Sequence, residues 1–157
     1  MQDKKTLFIL VGPTAVGKTS LSIQLAKDLN GEIISADSMQ IYKHMDIGTA
    51  KITECEKNDI PHYLIDEVYP DEEYSVSDFQ KSAFSHIDSI HMKNKLPMVV
   101  GGTGLYINSL IYDLNFTQSV SNWDLRNKYI KQANDQGNEY IYNELLRVDP
   151  ESAKRLH

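Results

Sequence analysis

The sequence predicts a three-layer α/β domain with a mostly parallel sheet, followed by a helical segment. Short apolar runs alternate with helical patterns as far as Asn115, and both the first and last runs end in glycine-rich turns that open helices. Thr6 to Val11 is a continuous apolar run, expected as a buried parallel strand. Lys18 to Leu29 follows as a helix with Leu21, Leu25, Ala26 and Leu29 on one face. Glu32 to Ser35 is a second strand ending at Ala36-Asp37, and His62 to Ile65 a weaker third. Ser77-Asp78-Phe79-Gln80 has the spacing of a capping box. The helix it opens carries Phe79, Ala83, Ile87 and Ile90 on one face and stops near Asn94. Leu96 to Val100 is the last strand, closed by Gly101-Gly102. Beyond Asn115 the pattern is helical only: Trp123–Asn134, Glu139–Leu146 after the Gly137 turn, and a helix from Pro150 with Asp149 as N-cap. The expected division is therefore an α/β core over residues 1–114 and a helical segment over residues 115–157.

Composition excludes several function classes. The 157 residues are 41% hydrophobic and 24% charged, as in an ordinary globular domain. No stretch reaches the roughly 18 apolar residues of a membrane span, and the start Met1-Gln2-Asp3-Lys4-Lys5 is polar. One cysteine, Cys55, excludes an internal disulfide, so a cytoplasmic location without membrane contact is expected. The net charge of −6 shows no global nucleic-acid footprint. Much of the acidic excess lies between Asp66 and Asp78, expected as a solvated loop. The five histidines lack metal-ligand spacing and are expected at the surface.

Gly12-Pro13-Thr14-Ala15-Val16-Gly17-Lys18-Thr19 matches G-x-x-x-x-G-K-[ST], directly after a strand and opening a helix, which is the context the motif requires. Its glycines let successive backbone N–H groups turn inward on phosphate oxygens. The helix N-terminus adds partial positive charge, Lys18 a mobile cation, and the Thr19 hydroxyl a ligand for Mg²⁺. The loop binds a phosphorylated ligand, a nucleotide such as ATP among the candidates. Asp37 follows the second strand, so it should share a crevice with this loop at the carboxyl edge of the sheet. There it either helps bind Mg²⁺, acts as general base, or merely caps a turn. Ser38 and Gln40 suit the reading of a base or sugar edge. Gly101-Gly102-Thr103-Gly104-Leu105-Tyr106 is either a structural turn or a place of close ligand approach. Lys51, in Ile47-Gly48-Thr49-Ala50-Lys51, is expected to be solvated rather than to contact phosphate. On these residues alone the chain reads as a P-loop NTPase-like domain, with a small-metabolite kinase using ATP as one candidate activity.

Four strings in order say more: residues 12–19, Ser35-Ala-Asp-Ser-Met-Gln-Ile-Tyr42, Asp46-Ile-Gly-Thr-Ala-Lys51 and Gly101-Gly-Thr-Gly-Leu-Tyr106. Together with the closing Val148 to His157 they resemble the tRNA dimethylallyltransferase, or tRNA isopentenyltransferase, family. The resemblance implies transfer of a dimethylallyl group from dimethylallyl diphosphate to N6 of the adenosine 3′-adjacent to the anticodon. It implies Asp37 as general base, and Thr19 and Lys18 at the diphosphate, which residues 12–19 would bind with Mg²⁺. It also implies Asp37, Ser38, Met39 and Gln40 around the target base, with Thr103 and Arg126 contacting the tRNA anticodon arm. A monomer is expected. Family members are considerably longer, so the chain resembles their amino-terminal portion with the beginning of an RNA-gripping helical insertion.

Overall fold

The computed structural model describes residues 6–112, 114, 116 and 122–156. The polar start Met1 to Lys5, the expected boundary at Asn115 and the fifth histidine, His157, lie outside the described residues. Two compact units are distinguished, Met1–Phe116 and Thr117–His157. The first contains β1 (Phe8–Val11), α1 (Lys18–Asp28), β2 (Gly31–Ala36), α2 (Glu54–Lys57), β3 (His62–Tyr63), α3 (Val76–Met92), β4 (Leu96–Gly101) and α4 (Gly104–Ile111).

The four strands form a parallel sheet in the order β1-β4-β2-β3. Gly101 pairs with Val11 on one side and Ala36 on the other, so three strands end at one level. Successive strand residues face opposite sides. Ile33 and Met98 pack with Ala26 of α1, while Ile34, Ala36 and Val99 pack beneath α3 and α4. The expected face of α3 is buried in full, and the Phe79 ring stacks on Tyr106 of α4 with centroids 4.0 Å apart.

Several expectations change. The Thr6–Val11 run yields a strand over Phe8–Val11 that is only half-buried, because only β4 pairs with it among the described strands. On α1 the buried residues are Ser22 and Ala26, with Leu21 and Leu29 exposed. Small side chains let this helix approach the sheet, and Ile23 and Leu25 cover its flank. The cap of α3 is Ser75 rather than Ser77. Asp78 accepts from the Ser75 amide at 3.0 Å and from its hydroxyl, while Gln80 reaches forward to the carbonyls of Ser109 and Leu114. The short helix α2 carries its own capping box, Thr53 with Glu56. His62, His86 and His91 are half-buried rather than at the surface. Burial lowers the His62 pKa, and its Nδ1 lies 2.8 Å from the Ile60 carbonyl.

The second unit comprises α5 (Trp123–Gln136), α6 (Asn138–Val148) and α7 (Pro150–Ala153), close to the expected spans. Asn122 and Asp149 cap α5 and α7 through their side chains, and Gly137 turns between α5 and α6 at φ 87°. Ala153 is fully buried, whereas neither α5 nor α6 has a buried residue. No helix among the described residues is long and apolar enough to cross a membrane.

At the start of β2, Glu32 is 2% exposed and accepts from Lys93 Nζ at 2.9 Å, Lys95 Nζ at 2.8 Å and the Tyr63 hydroxyl at 2.7 Å. Burial acts to raise its pKa, but the hydrogen bonds from Lys95, Tyr63 and Lys93 outweigh it and hold the carboxyl at about 2. A depressed carboxylate stabilises the fold above its unfolded value near 4.5, and that contribution is lost as pH falls toward 2. Glu32→Gln is expected to cost on the order of 2 kcal/mol in urea titrations at neutral pH. The difference between variant and parent should shrink steadily below about pH 4.5; a difference unchanged by acid would refute this role.

Candidate functional site

The loop after β1 is a phosphate-binding nest in shape. Ala15 and Gly17 adopt left-handed backbone conformations at φ 64° and 86°, which turns the chain tightly before α1. Gly17 takes this conformation without strain and delivers its neighbours to the helix N-terminus. The Lys18 ammonium folds back over the loop and donates to the Pro13 carbonyl at 2.6 Å. The Ser22 hydroxyl donates to the Thr19 carbonyl at 2.8 Å, securing the first turn of α1.

Adjacent strand ends bring the other residues to this loop. A Cβ on Gly101 would lie 2.2 Å from the Ala36 carbonyl oxygen, and one on Gly102 would lie 3.2 Å from that of Gly12. Only glycine lets β4 pass so near β2 at this point. The Thr103 amide donates to Ala36 O at 3.1 Å, and the Thr103 hydroxyl accepts from the Ser38 amide at 3.0 Å. The glycine-rich turn after β4 therefore clamps the Asp37–Gln40 segment.

Asp37 Oδ1 accepts from the amides of Met39 at 2.9 Å and Gln40 at 3.3 Å, so the aspartate caps its own turn while facing the crevice. Gln40 is committed to the protein: its Nε2 donates to the Thr49 carbonyl at 3.2 Å, and its Oε1 accepts from Ser35 Oγ at 3.4 Å. Two cavities meet here. A cleft of about 270 Å³ is lined by Thr14, Gly17, Lys18, Thr19, Asp37 and Gly101, among others. A pocket of about 570 Å³ adjoins it, walled by Met39, Met45 and Ile47, with Thr14, Asp37, Thr49 and Ala50 common to both.

The expected solvation of Lys51 is overturned. Its side chain is 4% exposed, with Nζ donating to Tyr42 O at 2.8 Å, Asp46 Oδ1 at 2.8 Å and Asp66 Oδ1 at 2.6 Å. The acidic run is likewise more than a solvated loop. Asp66 binds Lys51, Glu67 and Glu72 accept from the amides of Leu64 and Tyr69, and Asp78 caps α3. Met45 and Ile47, which wall the pocket, escaped the sequence reading. Ile47 is 98% exposed; the signal available in the sequence was an apolar residue within the otherwise polar, glycine-containing loop 46–51. Arg126 belongs to the second unit, where its guanidinium lies 5.2 Å from the centroid of the Trp123 ring.

A strand–loop–helix phosphate nest at the carboxyl edge of a parallel sheet, with an aspartate on the adjoining strand end, defines a P-loop NTPase-like α/β domain. Comparison with known proteins narrows this. The family model for IPP transferase matches residues 40–157, and the chain belongs to that family. A tRNA dimethylallyltransferase of Alkaliphilus oremlandii is 65% identical over 154 residues, covering 98% of this chain and 49% of that protein. The full-length tRNA isopentenylpyrophosphate transferase of Bacillus halodurans matches with a TM-score of 0.72 at 47% identity, covering 98% of this chain and 51% of that one. A eukaryotic dimethylallyltransferase acting on tRNA matches with a TM-score of 0.81 at 35% identity, over 98% of this chain and 38% of the other. The chain spans about half the length of the curated relatives it matches.

Gly101→Ala places a methyl group against the backbone of Ala36, which has no flexible end to move aside. The expected loss is about 3 kcal/mol in chemical denaturation. Unaltered stability would show that β2 and β4 separate more readily than their pairing indicates.

Proposed function

We propose that this chain is the part of a tRNA dimethylallyltransferase that binds the prenyl donor and supplies the general base. The observation that carries the reading is the position of Asp37 on the wall common to the phosphate-loop cleft and the apolar pocket. A donor diphosphate in the cleft and an adenine in the pocket would present C1 and N6 to one another beside that carboxylate. The C1–O bond breaks with its electron pair leaving on diphosphate, the N6–C1 bond forms, and the N6 proton passes to Asp37. Backbone amides of residues 12–19 and the Lys18 ammonium would stabilise the charge that develops on the leaving group.

The Thr19 hydroxyl in the cleft fits a hard cation such as Mg²⁺, bound mainly through the diphosphate and water. When bound, Mg²⁺ would add Lewis-acid stabilisation of the departing diphosphate. No cluster of three or more metal-ligating side chains occurs among the described residues. Ser38 and Met39 are assigned to the target base. Gln40 contributes to that region by holding the Thr49 backbone. Thr103, whose hydroxyl accepts from Ser38 and still has a proton to donate, and Arg126 are assigned to tRNA. We assign residues 1–114 to the catalytic core and residues 115–157 to an anticodon-arm insertion in a monomeric cytoplasmic enzyme. Relatives named for prenyl transfer to tRNA favour this over an ATP-dependent kinase.

Calorimetric titration with Mg²⁺ present is expected to show preference for a thiolo analogue of dimethylallyl diphosphate over a non-hydrolysable ATP analogue; the reverse preference would support the kinase. In the full-length enzyme, Asp37→Ala is expected to lower prenyl transfer by roughly 10²- to 10⁴-fold. Donor binding should stay within about threefold of the parent, because the amides and cation of the phosphate loop are untouched. Lost donor binding in a folded variant would remove Asp37 from the role of base.

A further inference from the structure

The segment from Lys43 to Ala50 contains neither helix nor strand, yet it builds walls of both cavities. Thr49 and Ala50 line the cleft and the pocket alike, while Met45 to Gly48 line the pocket alone. An irregular loop holds one shape only through its polar anchors. Some anchors are local: the Thr49 hydroxyl donates to the Met45 carbonyl, the Ala50 amide to Ile47 O at 3.2 Å, and the Lys51 amide to Asp46 O at 3.2 Å. Gln40 Nε2 adds one bond to Thr49 O from outside the loop.

The largest anchor is the Lys51 ammonium. Its three donors meet three acceptors, Tyr42 O before the loop, Asp46 Oδ1 within it and Asp66 Oδ1 beyond it. Asp66 is itself fixed, its amide donating to Gln40 O at 3.1 Å, one residue before the Glu67 amide donates to Ile41 O at 2.9 Å. One buried cation therefore ties both arms of the loop to the segment that follows β3. Burial would lower the Lys51 pKa, but the bonds to Asp46 and Asp66 outweigh it and hold the ammonium charged. Lys51 lines neither the cleft nor the pocket.

We infer that Lys51 is a positioning residue for group transfer: it sets the Thr49–Ala50 wall common to the donor cleft and the acceptor pocket, and lines neither. The inference rests on the transfer reading given above. Removing the ammonium leaves Asp46 and Asp66 facing one another without their shared cation, so the loop is pushed away from its seat. The phosphate nest, built by residues 12–19, does not depend on that seat.

The test uses the full-length enzyme with Lys51→Met, which keeps the length of the side chain and removes its charge. Expected is a fall in kcat for prenyl transfer to tRNA of roughly ten- to a hundredfold, as for a misplacement near 1 Å. The Kd for inorganic diphosphate should change by less than about twofold, because the amides of residues 12–19 and the Lys18 ammonium proposed to hold it are not anchored by Lys51. Amide hydrogen exchange should quicken across residues 44–50 and stay unchanged in α3, and Lys51→Arg should recover most of the lost kcat. The inference is overturned if the loop exchanges faster while kcat holds. It is equally overturned if diphosphate affinity falls in step with kcat, since general loss of structure does that. Should Lys51→Met not fold, Asp66→Asn removes one of the two carboxylate anchors and is expected to show the same split at roughly threefold. A parent enzyme that binds diphosphate but transfers no prenyl group overturns the transfer reading together with this inference. A parent that transfers, beside a variant that transfers equally, overturns the inference alone.

Discussion

The site depends on a close backbone approach at the ends of two strands. Gly101 lies against Ala36 with no room for a side chain, and Gly102 follows against the Gly12 carbonyl. Because β4 is inserted between β1 and β2, this contact draws three chain reversals to one place. The phosphate loop, the Asp37 turn and the Thr103 clamp are then neighbours by construction, although they are far apart in sequence. Thr103 completes the arrangement with a bond to Ala36 on one side and to Ser38 on the other.

Charge is handled differently at the two ends of β2. At its start, Glu32 is buried and answered by two lysines and a tyrosine hydroxyl, an arrangement that secures the strand against β3 and the turn after α3. At its end, Asp37 is met by backbone amides and opens onto the cavities. Both oxygens of Glu32 are answered by donors, whereas the amides that meet Asp37 converge on Oδ1. The scaffold thus places its structural ion pairs away from the crevice. Lys51 is the exception: its own side chain lines neither cavity, but its partner Asp46 lines the pocket.

Much of the frame was legible in the residues. The apolar runs of β2 and β4, the Phe79-Ala83-Ile87-Ile90 stripe and the Gly12–Thr19 nest follow from local periodicity and turn chemistry. These signals lie within a few residues of one another, so a linear reading reaches them. Less legible were features that depend on partners far along the chain. Gln80, expected to complete a capping box with Ser77, is claimed instead by the carbonyls of Ser109 in α4 and Leu114 beyond it, and Ser75 caps α3 with Asp78. Leu21 and Leu29 stay exposed because α1 seats its small residues on the sheet.

By itself the sequence determined the parallel α/β class, the glycine-containing loop that opens the first helix and the presence of an aspartate after the second strand. Backbone torsions, hydrogen-bonding groups and hydrophobic period are properties of short segments, and they need no distant partner to be expressed. Only the tertiary structure decided which polar groups are free and which are committed. Lys51 is a buried hub rather than a solvated base, Gln40 a brace for Thr49, and Asp37 a wall shared by two cavities. Burial and saturation are decided by residues brought together from separate strand ends, and spacing along one chain carries no record of that meeting.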